Sequence, residues 1–223
     1  MSLDGSRGHS SSTEDREQNV GNKLKYLKNF DLTNGMCEIL PNLYLGGLRD
    51  VTDVNQIAKN KIEYVLTILD MKIEFTFQKN MVVKRIRIPD SPSENISTFF
   101  SEAIQYIHEA RIRGASVAVH CLAGVSRSAT IVTAYLITVC GLTFFNALSF
   151  VSSKRPAVNP NFGFRMQLAK YEKTPASHER QRLRELFTPA VFDRQWQLDR
   201  IATRAKIITQ TSEESTSEGN SCA

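Results

Sequence analysis

The residues best suited to chemistry in this chain of 223 lie together in the stretch VHCLAGVSRSAT, 119–130. Cys121 opens it, Leu122, Ala123, Gly124, Val125 and Ser126 form a loop of mostly small residues, and Arg127 and Ser128 close it. Cysteine is nucleophilic as the thiolate, and a positive field lowers its pKa from about 8.5. Backbone N–H groups of such a loop can converge on one anion, and a helix N-terminus behind them adds positive partial charge. Gly124 lets the backbone turn tightly enough. Arg127 brings a planar fork that matches two oxygens of a phosphate. The combination is a phosphate cradle with a nucleophile at its floor.

A buried thiol beside an unrelated arginine would account for Cys121 and Arg127 alone. It accounts poorly for the five specified positions of His-Cys-x-x-Gly-x-x-Arg-Ser, a coincidence on the order of one in ten thousand. His120 is compatible with an ordinary satisfied core histidine. A phosphate monoester also needs a proton delivered to its leaving oxygen. Asp90, in RIPDSPSEN, follows a strand-like run and is a candidate, with Glu94 as the second; alone, an Asp before Ser-Pro is a turn residue. Asn161, in PNFGF, reads by itself as a helix N-cap.

Local patterns place these residues on an alternation of strands and helices. CEILPNLYLGG from Cys37 reads as a strand ending in a Gly-Gly turn, and DVTDVNQIAKN as a short helix capped by Asp50. KIEYVLTIL (61–69) and VVKRIRI (82–88) read as strands, and 97–114 as an amphipathic helix that Ser97 caps and Gly114 ends. ASVAVHC (115–121) is a buried strand, and SRSATIVTAYLITVCG a central helix, apolar nearly all round. TFFNALSFVSSKRP and NFGFRMQLAKYEK follow as helices. The expected fold is an α/β domain over 36–173, with a mixed central sheet flanked by helices and the cysteine loop between a strand and the central helix. Residues 1–35 are polar and Ser-rich and are expected to be disordered; 174–223 reads as a charged, partly helical tail with an unstructured end.

Composition narrows the function classes. The net charge of +5 lies wholly in 36–173, where sixteen basic residues face eleven acidic ones. That bias suits an anionic substrate. Basic runs interleaved with aromatics are missing, so nucleic acid is not an expected partner. No apolar run approaches the ~18 residues of a membrane span. Four irregularly spaced cysteines suggest neither a disulfide framework nor a zinc site. A cytoplasmic location is expected, with the nucleus as a second compartment.

VHCLAGVSRSAT is similar to the signature loop of the cysteine-based protein phosphatases, in their dual-specificity class. The similarity runs over 36–173 through ILPNLYLGG, DSPSENI, AYLI and RPAVNPNFGFRMQL. The wording NGMCEILPNLYLG and DSPSEN resembles most the small VH1-related phosphatases of the JNK-pathway-associated type. The resemblance implies that Cys121 attacks phosphorus, that Arg127 binds the equatorial oxygens, and that N–H groups from Leu122 to Arg127 complete the cradle. It further implies Ser128 as the group stabilising the leaving thiolate and Asp90 as general acid and then base. His120 would tune the cysteine from behind, and Asn161 would brace the loop. No cofactor or metal is implied, and the partners would be phosphorylated proteins, kinase-cascade components among them.

Several features refine that expectation. The loop interior carries no lysine, unlike phosphatases of highly charged inositol lipids, so protein phosphoesters suit it better. A tyrosine-clamping loop has no counterpart, which implies a shallow pocket admitting phosphoserine, phosphothreonine and phosphotyrosine. Ser2 stands where the related chains carry a myristoylated glycine, so no membrane anchor is expected by that route. Two other function classes compete: a phosphate-recognising adaptor with incidental catalysis, motivated by the tail with Trp196, and an RNA 5′-phosphatase. The intact set Cys121, Arg127 and Asp90 favours the enzyme over the first, and the missing basic–aromatic tracts disfavour the second.

Overall fold

A computed structural model describes residues 35–71 and 81–217, with side chains to 203. The extension read as disordered lies outside it except for Gly35, as do residues 218–223. Among the described residues one sheet runs in the order β1-β2-β5-β3-β4. Its strands are β1 (Cys37–Leu40), β2 (Leu43–Gly46), β3 (Ile62–Ile68), β4 (Val82–Ile86) and β5 (Ser116–His120). β1 and β2 pair antiparallel and the rest in parallel, so the sheet is mixed as expected. β5 sits between β2 and β3 with all five residues buried, which is why its sequence does not alternate.

The N-terminal run differs from its expected single strand. Pro41 and Asn42 turn the chain between β1 and β2, and Asn42 takes the left-handed conformation at φ 64°. Pro followed by Asn is a sound turn pair, so the apolar flanks had masked a hairpin. The helix expected after it is two, α1 (Leu48–Thr52) and α2 (Val54–Lys59). Asp53 caps α2 through the N–H groups of Asn55 and Gln56, whereas Asp50 lies inside α1 and accepts from Gly47 N at 2.7 Å. Ser97 does not cap the next helix either. Its hydroxyl donates to Asn95 and its N–H to Gln167, and a 3₁₀ turn (Ile96–Phe99) leads into α3 (Phe100–Ile112). Gly114, at φ 75°, turns the chain beyond the end of that helix.

The central helix α4 (Arg127–Tyr135) is buried at every position and continues as a π turn (Leu136–Cys140) that Gly141 ends. α3 and α4 pack on each other and on β5. α5 (Phe144–Lys154) and α6 (Phe162–Lys173) follow, each with the side chain of its N-cap, Thr143 or Asn161, holding a first-turn N–H. The tail forms α7 (Pro175–Leu186) and α8 (Pro189–Ser217). α8 docks through Phe192, Asp199 and Thr203, spaced along one face, and Leu183 and Phe192 join the same core cluster as the sheet. The helix also runs through 211–217, read as unstructured. Once a turn exists, each added residue gains a hydrogen bond without a new nucleation cost.

Candidate active site

The loop after β5 is shaped by where its carbonyls go. Leu122 O accepts from Leu48 N, Ala123 O and Gly124 O accept from the Arg155 guanidinium, and Val125 O accepts from Asn159 N. All four are drawn outward by other elements. In a planar trans peptide the following N–H points the opposite way. The N–H groups of Ala123, Gly124, Val125 and Ser126 therefore turn inward, and Gly124 N does reach Cys121 Sγ at 3.3 Å. Gly124 stands at φ 71°, and a Cβ there would lie 2.5 Å from Gly46 O, so the turn admits only glycine.

Cys121 is 2% exposed at the base of this ring. Burial is the strongest single influence on its thiol and pushes the pKa up. The Arg127 charge, the Ser128 hydroxyl and the N–H groups of Ser128 and Gly124 together outweigh it and leave the pKa below the ordinary thiol value. Ser128 Oγ donates to the sulfur at 3.1 Å. Behind the thiol, the fully buried His120 pairs in register with Thr67 on β3. Its Nδ1 lies 3.1 Å from Cys121 O, which can only accept, so Nδ1 carries the proton. Burial above all, with Arg127 adding to it, pushes the ring's pKa down to about 4, although the bond to Cys121 O works the other way. The ring is neutral, and Nε2 accepts from Thr67 Oγ1 at 2.8 Å. His120 is thus both a satisfied core histidine and a fixed support for the Cys121 peptide.

Arg127 enters the cradle from the first turn of α4, its side chain 4% exposed. Nη1 donates to Asp70 Oδ1 at 3.0 Å and to Ile88 O at 3.1 Å. Nε is buried without a hydrogen bond and lies 3.7 Å from Asp90 Oδ2. Asp90 is held by its other oxygen, which accepts from Ser126 Oγ at 2.7 Å and Asn161 Nδ2 at 2.9 Å. Oδ1 is thereby occupied while Oδ2 faces the arginine. Asn161 both caps α6, through Phe164 N, and braces Asp90, so its two expected roles coexist. The loop beyond Asp90 is clamped from α6: Gln167 bonds Ser97 N and Glu94 O, and a Cβ on Gly163 would collide with Pro92 O.

Every expected site residue except Glu94 is gathered around one point. Glu94 lines a separate cavity of about 680 Å³ with Gln167 and Lys170. Beside the cradle an open cavity of about 480 Å³ is walled by Asp90, Ser126, Asn161, Phe162 and Arg165. Sequence reasoning missed Asp70, Thr67, Gln167 and Arg155. Arg155, 1% exposed, is the rear brace of the loop and also bonds Gly35 O. Its partners, three backbone carbonyls with Cys37 Sγ and the Asp50 carboxylate at 3.7 Å, lie far along the chain and leave no spacing signal. Among the described residues no group of three His, Cys, Asp or Glu side chains is placed to hold a metal ion, and no helix is long and apolar enough to cross a membrane.

A thiol whose pKa is lowered in a ring of N–H groups, with a charged fork and a carboxyl above it, defines a cysteine-based phosphoryl-transfer enzyme. The dual specificity phosphatase catalytic domain matches residues 43–174, and the chain belongs to that family. It is 45% identical over 156 residues to human dual specificity protein phosphatase 22, covering 68% of this chain and 82% of that protein. To mouse dual specificity protein phosphatase 15 it is 38% identical over 159 residues, 71% of this chain and 67% of that one. The crystal structure of DUSP15 superposes with a TM-score of 0.66 at 38% identity, over 69% of this chain and 97% of that one. The chain is a phosphatase of phosphoproteins on an α/β fold.

Proposed function

We propose that this chain dephosphorylates phosphotyrosine and phosphoserine or phosphothreonine of proteins in kinase signalling, through a phosphocysteine on Cys121. The observation that carries the reading is the placement of Cys121 Sγ, under Gly124 N and Ser128 Oγ, in a ring whose far wall holds the unbonded edge of Arg127 and Asp90 Oδ2. In the first step Cys121 Sγ forms a bond to phosphorus as the phosphorus–oxygen bond to the substrate breaks. Asp90 Oδ2 gives its proton to the departing oxygen, and the free hydroxyl leaves. The inward N–H groups and Arg127 carry the charge on the equatorial oxygens. In the second step Asp90 takes a proton from water, whose oxygen bonds phosphorus while the sulfur–phosphorus bond breaks. Ser128 Oγ–H receives the returning thiolate, and inorganic phosphate departs.

The open cavity beside Asp90 supports access for short as well as aromatic phosphorylated side chains. Cys37, Cys121 and Cys140 are unpaired, which suits a reducing compartment such as the cytoplasm. The test is hydrolysis of a small aryl phosphate in EDTA by wild type, Cys121→Ser and Asp90→Ala. Wild type turns over; Cys121→Ser loses all turnover yet still captures phosphopeptide. Asp90→Ala slows an alkyl phosphate on the order of a hundredfold, and an ester with a good leaving group less. Phosphopeptide binding by a wild type that hydrolyses nothing would select the adaptor instead.

A further inference from the structure

We propose that Asp70 is a positioning residue, one that holds Arg127 so that its free edge faces the equatorial oxygens of the bound phosphoryl group. This rests on the phosphatase reading above and adds a residue to its machinery. Asp70 follows β3, the strand that pairs with β5 and delivers Thr67 to His120, so the sheet itself carries it to the cradle. A guanidinium has a side-on edge, Nε with Nη2, and an outer group, Nη1. Here Nη1 is anchored twice, by Asp70 Oδ1 and Ile88 O. Nε and Nη2 donate no hydrogen bond to any described residue; Nε is fully buried and faces only the Asp90 carboxylate, at 3.7 Å.

A buried donor without a hydrogen bond is costly unless a ligand supplies the acceptor, and the Asp90 carboxylate is too far to do so. The edge left open is the two-pronged one that fits two phosphate oxygens. Ile88 O alone would leave the plane of the group free to swing; the second anchor fixes its rotation. Asp70 has a side chain 41% exposed, so its own desolvation is small and changing it need not disturb the core. Its negative charge near an anionic substrate is the opposing effect. The alternative is that Asp70 merely occupies Arg127 until phosphate displaces it.

Asp70→Asn and Asp70→Ala separate these. Both remove the charge, but only asparagine keeps an oxygen that can accept from Nη1. With the full chain, vanadate and phosphate inhibition are measured beside kcat and KM on a small aryl phosphate, and melting curves check the fold. Vanadate, five-coordinate when bound to a thiolate, presents the equatorial oxygens; phosphate presents a tetrahedral ground state. Asp70→Asn is expected to exceed Asp70→Ala by about tenfold in kcat/KM and vanadate affinity, the scale of one charge-assisted hydrogen bond. Phosphate affinity changes less than vanadate affinity, and melting is the same for both. Equal values for the two variants, or Asp70→Ala binding vanadate more tightly than Asp70→Asn, overturns the assignment. A wild type without turnover would instead overturn the phosphatase reading.

Discussion

The two ends of the central helical segment carry nearly the same side chains and opposite chemistry. At the start of α4 stand Arg127, Cys121, Asp70 and Asp90. Around the π turn at its far end lie Arg111, Cys140, Asp199 and Tyr135. Arg111 is saturated: it donates to Pro41 O, to Tyr135 Oη at 2.8 Å and to both oxygens of Asp199 at 2.6 and 2.8 Å. Arg127 is left with its buried Nε without a hydrogen bond. Burial first, and then the Asp199 charge, pushes the Cys140 thiol well above its usual range, against the pull of nearby arginines. The Cys121 thiol is lowered although burial opposes it, because inward N–H groups, a hydroxyl and Arg127 all favour the anion. A cation with every donor used makes a structural joint; one deliberately short of partners makes a binding site.

The widest expected separation is in reactivity. At neutral pH a small alkylating agent should modify Cys121 at least on the order of a thousandfold faster than Cys140, read by peptide mapping, since only the thiolate reacts. Comparable rates would dissolve the contrast. Next in size is the joint. Asp199→Ala leaves a buried cation unpaired, both side chains being 1% exposed. It should cost about 3–5 kcal/mol in urea unfolding, while kcat/KM of the folded fraction stays near wild type. A loss of turnover without a loss of stability would show the two arginines to be coupled. The smallest effect is the finest. Ser128→Ala removes one of the groups lowering the Cys121 thiol, so the midpoint of its alkylation with pH moves upward. As thiolate forms on deprotonation, the variant should react more slowly than wild type at neutral pH; an unmoved midpoint would remove Ser128 from the thiolate's support.

Legibility followed the range of the interactions. The strand–loop–helix around Cys121 was readable because nucleophile, turn glycine and arginine sit within one local motif. The buried helix α4 was readable from its uninterrupted apolar composition. Asp50 was mistaken for a cap because two Asp residues lie three apart; only the backbone shows that Asp53 precedes the free N–H groups. Asp90 needed the family resemblance, since its partners Ser126 and Asn161 lie 36 and 71 residues away. Asp70 and Arg155 carried no signal, because an isolated Asp after a strand and an Arg in a polar run are common.

The sequence by itself determined the chemistry available: a thiol, a fork and a small-residue loop at the carboxyl end of a buried strand. That is local, since steric limits on Gly124 and the apolar runs on either side act within a few residues. Only the tertiary structure decided that the loop's carbonyls face outward, because their acceptor roles are met by Leu48 at the start of α1 and by Arg155 and Asn159 between α5 and α6. It alone chose which arginine would be saturated and which left open, and made the tail part of the core through Asp199. Those outcomes depend on which distant groups meet in a low-dielectric interior, where each unmet partner is costly.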